Sequence, residues 1–122
     1  MENFTIGWSG FEGNAGNSFR SVYEEDVFKD VTLACDDDQQ VRAHKFILMA
    51  SSSFFRKILL RHPNNVNQII FLRGTSYSLL KNVVDFLYVG SVQVPQTEFQ
   101  NFLYLAKDLK ISGLMDFQNN SM

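Results

Sequence analysis

The sequence predicts an α+β domain, with a small central β-sheet flanked by a cluster of short α-helices. Three observations carry that expectation. Val31, Leu33 and Cys35 alternate with Thr32 and Ala34, the period-2 pattern of a strand with one buried face. Val41, Arg42 and Ala43 return as a second strand after the polar run Asp36-Asp37-Asp38-Gln39-Gln40, so the pair reads as a β-hairpin. Farther on, Leu79, Leu80, Val83, Val84 and Leu87, and then Phe99, Phe102, Leu103, Ala106 and Leu109, recur at helical spacing.

In chain order, Phe4, Ile6 and Trp8 alternate with Thr5 and Gly7, which suggests a short strand. Such a strand needs a sheet edge for its backbone groups, in its own subunit or another, or else it frays as a terminus. Phe11 to Glu25 reads as a helix through Phe11, Ala15, Phe19 and Val22. Gly13 and Gly16 each weaken it by roughly 1 kcal/mol relative to alanine, so it depends on packing. A helix weak alone and aromatic on one face suits an interface. The plainer alternative is a core helix with a loose first turn.

After the hairpin, Lys45–Ala50 and Phe54–Leu60 read as two short helices split around Ser51-Ser52-Ser53, with Ser53 available as a cap for the second. Pro63 ends that helix, and Gln68–Leu72 reads as a buried strand. Gly90 is placed to close the Leu79–Leu87 helix in a left-handed cap. Ser91–Pro95 reads as a further short strand, and Ile111, Leu114, Met115 and Phe117 as a final short helix. The expected domain covers 1–117, with 118–122 a disordered polar tail.

Length and composition narrow the function classes. A chain of 122 residues, 45% hydrophobic and 20% charged, fits one domain with an ordinary core. Twelve phenylalanines are many for so small an interior, which suggests that several meet another chain. A formal net charge of −2 argues against a nucleic-acid-binding module. The single Cys35 allows neither an internal disulfide nor a cysteine-based zinc set. No apolar run is long enough to span a membrane, and Glu2, Asn3 and Thr5 do not resemble a signal peptide, so the chain reads as intracellular.

No catalytic set emerges, and no cofactor is expected. The three aspartates of the hairpin turn are consecutive, whereas a calcium loop needs alternating ligands and a later glutamate, so they read as a solvated turn. His44 reads as a hydrogen-bonded structural residue. Arg56, Lys57 and Arg61 would give weak, salt-sensitive phosphate contact at best, and read as a solvated helix face.

F-x-D-V-T-L at Phe28–Leu33, V-R-A-H-K-F-I-L at Val41–Leu48 and A-S-S-S-F-F at Ala50–Phe55 closely resemble the start of the BTB/POZ fold. F-L-Y-V-G-S-V-x-V and L-A-K-D-L-K-I-S-G-L resemble its closing half, and Phe4–Trp8 resembles the front of the tramtrack-type group of insect transcription factors. The likeness runs from Phe4 to about Leu114, with Ser53 where the family usually has proline. It implies a strand-exchanged dimer, with Phe4, Ile6, Trp8, Phe11, Phe19 and Val22 at the dimer interface. It also implies a charged pocket of Asp30 and Lys45 near that interface, with lysine where arginine is common. The alternative is a strand-end Asp30 and a solvent-exposed Lys45. The function implied is homodimerisation and higher oligomerisation of a nuclear transcription or chromatin regulator. Its partners would be further copies, related BTB domains and transcriptional co-regulators, without direct nucleic-acid or membrane contact. The alternative is a substrate adaptor docking a cullin-type ubiquitin ligase through Ser51–His62, where Phe54, Arg56, Lys57 and Arg61 would be the contact surface.

Overall fold

Three four-residue strands form the sheet in the computed structural model of the chain, which describes residues 2–112. The central strand β1 (Val31–Ala34) pairs antiparallel with β2 (Gln40–Ala43), setting Leu33 opposite Val41. On its other side β1 pairs in parallel with β3 (Gln68–Phe71), setting Leu33 opposite Ile70. The predicted hairpin is therefore present, and the strand order is β2-β1-β3.

One face of the sheet, with Val31, Leu33, Val41, Ala43 and Ile70, belongs to the core. The expectation of a buried Gln68–Leu72 strand needs correction on one face. Ile70 and Leu72 are buried, but Ile69 and Phe71 are exposed on the opposite face. A continuous apolar run carries no alternation, so periodicity could not reveal that β3 is an edge strand with one open side.

Two short helices, α2 (Lys45–Ser51) and α3 (Ser53–Arg61), separate β2 from β3. The capping serine lies one residue earlier than expected. Ser52 Oγ accepts the Phe55 N–H at 3.1 Å, while Ser53 is the first helical residue, a position where proline is also tolerated. Ser52 Oγ also donates to the Leu109 carbonyl at 2.5 Å, joining this helix start to the end of the chain's last described helix.

The central helix α4 (Tyr77–Val89) buries Leu80, Val83, Val84 and Tyr88. Ser76 caps its start, and Gly90, at φ 88°, ends it with its N–H donated to Phe86 O at 2.8 Å. A 3₁₀ turn, Gln96–Glu98, leads into α5 (Phe99–Asp108), whose Phe102, Leu103 and Ala106 complete the core. The first helix, α1 (Phe11–Glu24), packs on α4 and has no buried residue.

Two predicted strands do not form among the described residues. Neither the Phe4–Trp8 segment nor Ser91–Pro95 pairs with any strand among the described residues. Both have strand-like composition, but a strand exists only where a neighbour takes its backbone groups, and the three-stranded sheet offers them none. Of the expected last helix only Ile111 and Ser112 are described, with Ile111 bridged to Ser52. Leu114, Met115, Phe117 and the tail 118–122 lie outside the described residues.

Candidate protein-interaction surface

The front of the chain presents a set of apolar side chains that its own core does not take in. Phe4, Ile6 and Trp8 are exposed by 85%, 94% and 65%, and they continue into Phe11, Phe19 and Val22 on α1, all exposed as well. Trp8 stands edge-on to Phe11 at 5.1 Å between centroids, and Phe19 approaches Phe46 of α2 in the same manner. Phe46 is itself 55% exposed, so the patch spreads from α1 onto α2.

Polar contacts near the far end of α1 hold it in place. The Tyr23 ring stacks on that of Tyr88, with centroids 4.1 Å apart and planes 11° from parallel. Its hydroxyl donates to Asp85, and Lys81 Nζ donates to Asp85 Oδ1 at 2.6 Å and to Tyr23 Oη at 2.8 Å. Burial, reinforced by the Asp85 carboxylate, pushes the Tyr23 hydroxyl up to about 12. Burial alone would lower the Lys81 ammonium, yet its bonds to Asp85 and Tyr23 hold it above its ordinary value. The i,i+4 spacing of Lys81 and Asp85 was visible in the sequence, but the tyrosine 58 positions upstream of Lys81 was not.

His44 is a structural residue, as expected. Its backbone N–H donates to Tyr88 Oη at 2.8 Å, Nδ1 lies 2.7 Å from the same hydroxyl, and Nε2 lies 2.8 Å from the Val27 carbonyl. These partners satisfy a neutral ring with its proton on Nε2, the carbonyl accepting from Nε2 and the tyrosine hydroxyl donating to Nδ1. The chain between α1 and β1 is thereby anchored to α4.

Asp30 and Lys45 are brought together, though not as a pair of side chains. Asp30 Oδ1 accepts the backbone N–H of Lys45 at 2.8 Å, while the Lys45 ammonium donates to the Asn65 carbonyl. The carboxylate thus serves the first amide of α2, whose N-cap, His44, makes no side-chain capping bond. The Asp36–Asp38 turn does more than meet solvent. Asp36 Oδ1 accepts from the Gly74 N–H at 3.0 Å and Asp37 Oδ1 from the Tyr77 N–H at 3.2 Å, tying the hairpin to the start of α4. No group of three or more His, Cys, Asp or Glu among the described residues could hold a metal ion.

On α3, Arg56, Lys57 and Arg61 are exposed and Phe54 is partly buried against the core. Beside the 91–95 segment lies an apolar cavity of about 380 Å³, lined by Val92, Val94, Phe86, Phe99 and Phe102 among others. None of the described helices is long and apolar enough to cross a membrane.

The chain matches the profile of the BTB/POZ domain over residues 19–122. It belongs to the BTB/POZ family. Longitudinals lacking protein-like of Drosophila melanogaster is 38% identical over 115 residues, covering 94% of this chain and 89% of that protein. The alpha isoform of protein tramtrack, from the same organism, is 33% identical over 119 residues, which are 98% of this chain and 14% of that protein. Among solved structures, the BTB domain of zebrafish PATZ1 shares the fold with a TM-score of 0.80 at 18% identity, covering 97% of this chain and 96% of that one. Protein abrupt, from the same organism, is 36% identical over 116 residues, and the BTB/POZ domain is a protein-interaction module.

Proposed function

We propose that this BTB/POZ domain is the self-association module of a transcription or chromatin regulator working in the nucleus. The observation that carries this reading is α1: fourteen residues in a helix with apolar side chains on one face and none of them buried by the chain itself. Two glycines make that helix weak alone, so a second copy laid against Phe11, Phe19 and Val22 would supply the packing it lacks. Interfaces of this sort bury on the order of 2,000 Å² or more.

Strand exchange fits the two segments that read as strands and find no neighbour among the described residues. Phe4–Trp8 of one copy beside the 91–95 segment of the other would satisfy the backbone groups of both. The dimer would multiply the contacts of whatever modules its partners carry, raising avidity without new contacts of its own. It would also offer grooves to co-regulators, and related BTB domains could join through the same apolar face. A net charge of −2 fits a domain that leaves nucleic-acid contact to other modules.

Deletion of residues 1–10 tests the exchange. The expected result is a smaller particle by light scattering, or aggregation. An unchanged assembly mass would refute strand exchange.

A further inference from the structure

We infer that the cleft between the end of α1, strand β2 and the start of α4 binds a phosphorylated peptide segment of a partner protein. Lys29, Arg42 and Lys81 receive the phosphate, and Glu24 and Asp26 receive a basic residue beside it. The cleft measures about 460 Å³. Its cations come from three parts of the chain that only the fold brings together. Lys29 lies between α1 and β1, Arg42 on β2 and Lys81 on α4.

The side chain of Lys29 is 10% exposed, yet the carboxylate that pairs with it at 3.2 Å, Asp26, is 87% exposed. An ammonium drawn out of water gains most from a counter-charge that is shielded too, and water screens Asp26. Arg42 Nη2 donates to the Lys29 carbonyl at 2.9 Å, and no carboxylate pairs with Arg42 among the described residues. The rest of its fork is left for an oxyanion. Lys81 bonds Asp85 and Tyr23, and its ammonium stands 4.9 Å from the centroid of the Tyr23 ring. The Lys29 ammonium stands 5.4 Å from the same centroid, so one ring, stacked on Tyr88, gathers both.

A carboxylate offers two oxygens in one plane and is matched by a single fork. A phosphate offers three oxygens and a charge of about −2, which suits a guanidinium and two ammoniums on separate elements. Glu24 and Asp26 also line the cleft, and they oppose a chain of phosphates such as a nucleic acid. They suit a lysine or arginine next to a single phosphate. Gln40 from β2 and Tyr77 from α4 add an amide and a hydroxyl for the peptide itself.

This inference gives a partner class to the co-regulator recruitment proposed above and rests on that reading for the partner's role. The cleft itself is built within one chain and needs no dimer.

The test holds the whole 122-residue chain on beads and offers it two peptide pools of mixed sequence. One pool has a fixed central phosphoserine and the other a serine at that place. The expected result is preferential retention of the phosphoserine pool, with lysine or arginine enriched beside the phosphoserine. Retention should fall as salt is raised. Arg42 is exposed, so Arg42→Gln should keep the parent's circular dichroism spectrum and assembly mass. It should weaken a retained peptide roughly tenfold or more by removing charged hydrogen bonds. Arg73→Gln, at an exposed arginine outside the cleft, should leave binding unchanged. Equal retention of the two pools would overturn the inference, and so would parent-like binding by Arg42→Gln. Displacement of the peptide by inorganic phosphate at equal concentration would overturn the peptide as the partner. None of these readings depends on assembly mass, so their failure leaves self-association standing. A monomer that still retains the phosphoserine pool would sink self-association and support the cleft.

Discussion

Replacing Tyr88 with phenylalanine removes one oxygen from a buried polar cluster that joins α4 to the start of α2. That oxygen accepts the His44 N–H at 2.8 Å and sits 2.7 Å from His44 Nδ1, and both residues are buried. The ring stays, so stacking on Tyr23 and packing in the core persist. What is lost is one partner each for a buried amide and a buried ring nitrogen. A stranded buried polar group costs about 1–3 kcal/mol, and the cavity left by one oxygen is too small to be filled usefully by water. The expected loss is about 2–4 kcal/mol, measured by urea unfolding at fixed protein concentration, because assembly also contributes to the midpoint. His44→Ala and the double variant complete a cycle whose coupling energy should exceed about 1 kcal/mol. A Tyr88→Phe loss below about 0.5 kcal/mol would refute the argument that this hydroxyl satisfies His44.

Other outcomes follow from neighbouring contacts. Ser52→Ala removes the cap on α3 and the donor to Leu109, and should cost about 2–3 kcal/mol in the same assay; a neutral change would mean that neither bond contributes. Asp30→Ala should cost about 1–2 kcal/mol and Asp30→Asn less, since asparagine still offers an acceptor to the Lys45 amide. Equal losses in the two would point to a charge pair instead. The folded state holds the Tyr23 proton up to about 12 against an ordinary value of 10.0, so this contribution is fully present below pH 10 and is lost as pH rises toward 12. Melting curves between pH 9 and 11 should fall more steeply for the parent chain than for Tyr23→Phe, and parallel curves would contradict this.

The sequence carried the local pattern well and the pairings poorly. The β1–β2 hairpin, the split into α2 and α3, and the Gly90 cap were legible because alternation, helical spacing and glycine chemistry are properties of adjacent residues. Phe4–Trp8 and 91–95 were read as strands for the same reason, but composition cannot show whether a neighbour exists in the same chain. β3 was identified, yet its open face was not, because Gln68–Leu72 offers no alternation to say which side meets water. The Asp30–Lys45 association was expected from resemblance as a charge pair. The structure routes it through the Lys45 amide because the ammonium reaches Asn65. The Tyr23–Lys81–Asp85 group and the carboxylate bonds of Asp36 and Asp37 join residues far apart in the chain, and nothing in a single sequence brings them together.

Particle mass, taken by light scattering at two protein concentrations a hundredfold apart in the micromolar range, bears most directly on the claim that the apolar front of this domain is covered by another copy. The expected value is about 28 kDa or a multiple of it at both concentrations. A particle of 14.0 kDa throughout, with Trp8 fluorescence showing a solvent-exposed indole, would contradict it.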